Sequence, residues 1–414
     1  MEKNHQKGDS TNPLEPHVLI FPIPIQGPVN CFLKLAELLC LSGIYVTFLN
    51  TDHIHRPLLR HTNILSRFSR YPNFRFETIR DGVDFENPVS AANIKEVIEG
   101  ANVVSKPLFR EMMIYGRLSR RSERPVTVMI LDAFFSFAVE VGLETSTPVF
   151  CFQTISPCCS WTCFFNLSTL IEAGEVPFKE EDMDKLVENV PGTQHLLRKR
   201  DLAGFCRLDD MSNGEIQRVL KEALLTPRTQ GSLAMMKFEQ LLEIWYGLVN
   251  SGKPFLWVRR PGSISEGYDE SHVSSDLLDH TKEMGCIVDW APQEDVLAHE
   301  AIGAFMTHSG WNSTMESIAV GVPMICWPYF YDQQVISRFV GEVWKVGVDI
   351  KDTCDRLIVE KAIRDVMDNK RDIFIQSATL WENLAKESIS KAGSSSKSLA
   401  RLVADIISVS STVK

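Results

Sequence analysis

Asn312, Ser313 and Glu316 stand at i, i+1 and i+4 behind the turn Thr307-His308-Ser309-Gly310, a spacing that places all three at the start of one helix. Unpaired backbone N–H groups and the positive dipole end at such a start favour phosphate. Gly310 lets the backbone come close, and His308, Asn312 and Ser313 can add side-chain donors. Glu316, one turn in, offers two carboxylate oxygens to a vicinal diol. Upstream, Trp290 closes an apolar run before Ala291-Pro292. A flat indole there can stack on a planar base while the Ala291 backbone reads its edge. Downstream, Asp332-Gln333 supply the kind of groups that bind polyol hydroxyls, and Trp311 lies beside the phosphate turn to line the same ligand. Taken singly, each has a plain structural explanation: a helix cap with a solvent-facing Glu, a core Trp, a polar loop. Together they describe a ligand with a base, a diol, phosphates and a polyol. His299 is expected to pack structurally.

Such residues need strand ends and helix starts to hold them. The apolar run 17–24 (HVLIFPIP) reads as a buried parallel strand. The turn Gln26-Gly27-Pro28 leads into an amphipathic helix expected over 30–42, closed by Gly43, with the next strand at 45–50. Further strands at 126–132 and 147–152 imply a doubly wound parallel α/β sheet. Asp132 and Thr154 then sit just past strand C-termini, where such sheets bind ligands. The second half repeats the pattern. A helix is expected at 235–252, strands at 253–260, 285–290 and 303–308, a helix at 312–320 and a strand at 323–329. Helices at 356–370 and 372–391, a loop at 392–398 and a last helix near 398–409 follow.

One step in this alternation is missing. The helix at 235–252 is preceded only by LLTPRTQGS, so the Gly231-Ser232 turn has no apolar strand feeding it. In a doubly wound half the first strand lies at the centre and delivers the phosphate-facing turn, so roughly 60–80 residues are expected to be absent between 230 and 231. The expected domains are 1–230 and 231–414, with the last helix packing back on the N-terminal domain.

Composition narrows the function classes. A chain of 414 residues suits two domains. Its net charge of −10 and pI near 5.6 argue against DNA or RNA as partner, while leaving a small diphosphate open. The N-terminus has no apolar signal core, and no apolar run approaches the roughly 20 residues that span a bilayer. The expectation is a cytoplasmic monomer without membrane insertion. Ten cysteines fit a reducing compartment. Cys158, Cys159 and Cys163 cluster, but no His or second Cys pair has ligand spacing, so no metal is expected.

The 44 residues from Trp290 to Gln333 resemble the plant secondary-product signature box of the UDP-dependent glycosyltransferases, family 1. The likeness extends to FPIPIQGPVN, NTDHIHRPL, LDAFFSFAVEVG and SLAMMKFEQLLEIWYGLVNSGKPFLWVRRP. It implies the GT-B fold, two Rossmann-like domains facing a cleft, with acceptor on the N-terminal half and donor on the C-terminal half. It assigns Trp290 and Ala291 to uracil, Gln293 and Glu316 to ribose, and Ser232, His308, Asn312 and Ser313 to phosphates. Trp311, Asp332 and Gln333 fall to the sugar, with Gln333 favouring glucose. Gln26, Gly27 and Thr154 lie on the acceptor side. UDP-glucose would be the donor substrate, no cofactor or metal being needed. The segment 175–230 is most similar to glucosyltransferases of iridoids such as 7-deoxyloganetic acid.

Two departures qualify the activity. The family's first turn reads Gln-Gly-His, where the His is the general base and an Asp, here Asp132, holds it. This chain has Pro28 at that position. His17 starts its strand and so lies at the wrong end, and surface or structural roles are expected for His53 and His55. The second departure is the 230/231 junction. The leading expectation is therefore an inverting, metal-independent O-glucosyltransferase acting on a small hydroxylated metabolite. An impaired UDP-sugar-binding variant is the alternative. A nicotinamide dehydrogenase is disfavoured, because no G-x-G-x-x-G follows the first strand.

Overall fold

The structure, a computed structural model, describes residues 15–83, 100–116, 118–119, 123–133, 135–207, 237–259, 273–329, 332–351 and 353–412. Two compact units form. One gathers the described residues up to Thr154 together with those from Ser394 onward, and the other lies within Ile155–Gly393. The division falls at 154/155 and 393/394 rather than at 230/231, and residues 208–236 around that junction lie outside the described set.

Strands β1 (His17–Phe21), β2 (Tyr45–Thr51), β3 (Phe74–Ile79), β4 (Val128–Asp132) and β5 (Val149–Phe152) form one parallel sheet in the order β3-β2-β1-β4-β5. Alternate residues of β1 serve opposite faces. Val18 and Ile20 pack with Phe32, Leu33, Phe48 and Ile130, while Leu19 and Phe21 pack with Phe109, Phe135, Phe137 and Leu131. Each such side chain, fully buried, contributes about 1.5–3 kcal/mol. The edge strand β3 has no continuous apolar run, because most of its side chains are only half-buried. The helix Gln26–Leu41 takes in the predicted turn, so Gln26, Gly27 and Pro28 are its first residues. Proline is tolerated there because first-turn N–H groups have no partner within the helix. The last helix, Ser394–Thr412, begins inside the predicted loop. It buries Ile406 against this unit's core and brings Ser410 Oγ within 2.8 Å of Thr127 Oγ1.

In the second unit the parallel sheet is interrupted. β6 (Phe255–Val258) pairs with β7 (Gly285–Val288), and β8 (Phe305–Thr307), β9 (Met324–Cys326) and β10 (Gly347–Asp349) form a separate sheet. In a doubly wound order the first strand would lie between β6 and β8. Among the described residues neither strand has a neighbour on that side. One helix, Phe238–Asn250, backs both pieces. Ile244 and Leu248 join the cluster of Ile325, Trp327 and Met306, while Trp245 and Leu242 join that of Trp257 and Ile287. Gly247 allows the helix Arg356–Arg364 to come close, since a Cβ there would lie 2.5 Å from Val359 Cβ. Residues 155–207 add a third cluster in this unit, in which Cys159, Cys163 and Cys206 are fully buried beside Val335.

Candidate active site

The phosphate-type turn is built as the spacing implied. β8 ends at Thr307, and Ser309 turns the chain with φ 64, its N–H donating to Thr307 Oγ1 at 3.2 Å. A left-handed conformation at a fully buried non-glycine residue is costly and marks functional turns. Gly310 is the N-cap of the helix Trp311–Ala319, and no side chain caps it. The bond from Thr314 N–H to the Gly310 carbonyl (3.0 Å) opens the helical ladder. The N–H groups of Trp311, Asn312 and Ser313 therefore precede it at the positive end of the helix dipole, an arrangement that suits an anion. A Cβ at Gly310 would collide with His308 Nε2, so only glycine lets the imidazole lie over this turn.

Beside the turn, the Gln293 amide donates to Glu316 Oε2 at 2.7 Å and to Ser313 Oγ at 3.0 Å. This joins the start of the helix Gln293–Leu297 to the helix Trp311–Ala319 and gathers a carboxylate, an amide and a hydroxyl at one point. Trp290 follows β7 with its side chain 60% exposed, which excludes a core role and leaves an indole face for a planar ring. Ala291, next in the chain, is half-buried. Trp311 is different. Its indole is half-buried, packing on the cluster of Ile318, Met324 and Val340, 6.3 Å from the Trp344 ring.

Asp332 and Gln333 start a helix, Gln333–Arg338, and both are buried, so the polar-loop alternative fails. Asp332 Oδ2 accepts from the Ser156 N–H at 3.0 Å. Burial pushes its carboxyl up to about 6, against the pull of that hydrogen bond. Gln333 Oε1 accepts from the Tyr329 N–H at 2.9 Å. Ser156 escaped the sequence reading, because its contribution is a backbone N–H from 176 residues away.

In the first unit, Pro28 follows β1 and Asp132 ends the adjacent β4, so both stand at the C-terminal edge of the sheet. Asp132 is fully buried, which suits it to holding a neighbour more than to meeting an acceptor itself. Gln26 and Gly27 are exposed, and Thr154, just past β5, is half-buried. His17 lies at the opposite end of β1, its Nε2 2.8 Å from Thr47 Oγ1, and burial lowers its pKa to about 4. It is a structural histidine. A cavity of about 370 Å³ at the end of β3, lined by Asp52, Thr78, Arg80, Leu108 and Glu111, was not foreseen, because β3 itself was not. Ser232 lies outside the described residues. Among the described residues no group of His, Cys, Asp or Glu is arranged to hold a metal, and no helix is long and apolar enough to cross a membrane.

Rossmann-type parallel sheets with an anion-binding helix start, a carboxylate one turn in and an exposed indole define a nucleotide-sugar transferase of the GT-B class. Solved structures of that architecture superpose on the chain. A UDP-glucose:anthocyanidin 3-O-glucosyltransferase in complex with UDP does so with a TM-score of 0.76 at 20% identity, covering 96% of this chain and all of that one. Os79 from O. sativa in complex with UDP gives 0.71 at 23%, covering 94% of this chain and all of that one. The family model for UDP-glucoronosyl and UDP-glucosyl transferase matches residues 229–381. The 7-deoxyloganetic acid glucosyltransferase of Catharanthus roseus is 40% identical over 96% of this chain and 98% of its own length. The (R)-mandelonitrile beta-glucosyltransferase of Prunus dulcis is 29% identical over 95% and 97%. The chain belongs to the UDP-glucoronosyl and UDP-glucosyl transferase family. Its 474 aligned positions with the Catharanthus protein exceed its 414 residues by 60, so at least that many positions of the alignment have no counterpart here.

Proposed function

We propose that the chain is an inverting, metal-independent UDP-glucosyltransferase that glucosylates a small hydroxylated acceptor of the iridoid class. The observation that carries the donor half is the uncapped start of the helix Trp311–Ala319 beside the Gln293–Glu316 pair. Glu316 and Gln293 take the ribose, the helix start and His308 take the diphosphate, Trp290 stacks on uracil, and Asp332 with Gln333 hold the hexose. The acceptor oxygen forms its bond to C1 of glucose as the bond from C1 to the UDP oxygen breaks. The N–H groups at residues 311–313 stabilise the charge that leaves on the diphosphate. The acceptor class rests on the 40% identity to the 7-deoxyloganetic acid glucosyltransferase.

The proton of the acceptor hydroxyl is the open side of the reaction, because Pro28 has no titratable group. A general base contributes typically 10²–10⁴-fold, so turnover in this chain is expected to be slow and to favour acceptors whose hydroxyl is already acidic, such as a hemiacetal or a carboxylic acid. The second reading, binding of UDP-glucose without transfer, is favoured by Pro28 and by the interrupted sheet. The test is incubation of the purified chain with radiolabelled UDP-glucose and 7-deoxyloganetic acid, alongside calorimetric titration with UDP. A β-glucoside of that acid supports the proposal. Binding without product supports the second reading, and no UDP binding sinks both.

A further inference from the structure

The helix Gln333–Arg338 carries the two proposed hexose-binding residues at its first turn and runs on without a break into a π-helical stretch over Phe339–Val343. A helical segment of about three turns is marginal on its own, so its place is set by what grips it. At its start, the Ser156 N–H holds Asp332 Oδ2. On its flank, Lys351 Nζ donates to the Gln334 carbonyl at 3.1 Å, one residue past Gln333, and to Asp201 Oδ1 at 2.6 Å. Further along it, Arg338 Nε donates to the Leu196 carbonyl at 2.9 Å and lies 3.5 Å from Asp201 Oδ2. Arg198 closes the set with a bond to Asp201 Oδ1 at 3.0 Å, and Asp349 stands 2.8 Å from Lys351.

Asp201 is fully buried and the Lys351 side chain is 3% exposed. Burial raises the Asp201 carboxyl, and the Lys351 and Arg198 cations more than offset it, so the group is held below the ordinary aspartate range. Ions buried this deeply lose much of their attraction to desolvation, and such pairs are better at fixing one geometry than at adding stability. What this one fixes is the Gln334 carbonyl and the Arg338 side chain, both on the hexose helix. The nucleotide residues Trp290, Gln293 and Glu316 and the 311–313 helix start lie on other elements, and none of the bonds of this network reaches them.

We propose that the Asp201–Lys351 ion pair is a positioning device for Asp332 and Gln333, through which residues 196–201 set how well the protein holds the sugar of its donor, independently of the nucleotide. This rests on the reading of Asp332-Gln333 as the hexose contacts. Neither Asp201 nor Lys351 is among the residues assigned to the donor.

The experiment compares dissociation constants for UDP and UDP-glucose in the parent chain, Asp201→Asn, Lys351→Met and the double variant. The double variant removes Asp201 and Lys351 together, so neither member of the pair is left buried without the other. The advantage of UDP-glucose over UDP is expected to fall about tenfold in all three, the loss of about one hydrogen bond to a charged group, with UDP affinity within about twofold of the parent. Equal weakening of both ligands, or an unchanged ratio in a folded variant, overturns the proposal. Amide exchange across Gln333–Arg338 is read in parallel without ligand. Faster exchange there in the variants supports the positioning role, and unchanged exchange overturns it. A parent chain that binds no UDP would sink the donor-site reading while leaving this exchange result to decide the positioning role.

Discussion

The Gln293 amide donates to the Glu316 carboxylate at 2.7 Å, joining two helices at the point where a ribose diol would sit. The Ser313 hydroxyl accepts from the same amide at 3.0 Å. The site is thus organised before any ligand arrives, and a diol must bond into an arrangement already satisfied.

Removing that carboxylate should be felt in nucleotide affinity. Glu316→Ala is expected to weaken UDP binding by about 10–100-fold, the range for hydrogen bonds to a charged group. Gln293→Ala should cost less, since Glu316 stays available to the diol. Calorimetric titration with UDP checks both, and an unchanged constant in Glu316→Ala would displace the ribose from this corner.

Pro28 occupies the first turn of a helix whose sheet edge it shares with Asp132. Pro28→His is expected to raise glucosyl transfer by about 10²-fold or more, the low end of general-base catalysis. Adding Asp132→Asn should remove most of the gain. Initial rates with a fixed acceptor measure it; no increase means that the acceptor proton is not handled at this turn.

Asp332 should make sugar recognition pH-dependent. Burial raises its carboxyl to about 6, so in the ligand-free protein it carries a proton below that pH and is a pure acceptor above it. The advantage of UDP-glucose over UDP is therefore expected to grow as pH rises from 5 to 7, with Asp332→Asn giving a flat, low profile. A ratio independent of pH in the parent chain would contradict the hexose role.

His17 sets an acid limit on stability. Its folded pKa is about 4 against 6.5 for the free side chain, and desolvation by burial is the main cause. Above pH 6.5 neither state is charged and nothing is lost. As pH falls toward 4 the unfolded chain takes up a proton that the fold resists, costing about 3 kcal/mol in all. Urea unfolding at pH 7, 5.5 and 4 should show this decline, and it should be shallower in His17→Gln.

The interrupted sheet predicts a weak donor unit. Among the described residues β6 and β8 have no neighbour on facing sides, and Leu256 and Val258 are 41% and 38% exposed. Inserting a strand-bearing segment of a relative at 230/231 should raise the thermal midpoint, by about 2–4 °C for each kcal/mol gained at this size. It should also slow amide exchange along β6 and β8. Equal midpoints would mean that the two sheet pieces need no joining strand.

Much of this protein was legible from residue order alone. The apolar runs of β1, β2 and β4 announce themselves because both of their faces are buried, whereas β3 and β10 do not, since an edge strand with half-buried side chains leaves no continuous pattern. The turn 307–310, the helix behind it and the exposed Trp290 were readable because they lie within one short segment, where spacing sets geometry.

The surroundings of Asp332 and Gln333 were decided only by the tertiary structure. Asp332 and Gln333 are adjacent in the chain, but their environment comes from Ser156, Asp201 and Lys351, brought together across 176, 150 and fewer residues. Such contacts leave no periodic trace, because a backbone N–H and a buried ion pair depend on how separate segments pack. Trp311 makes the same point in reverse. Its place beside the phosphate turn followed from the sequence, but the direction of its indole followed from the Trp344 cluster, because burial of a large aromatic surface outweighs proximity to a ligand.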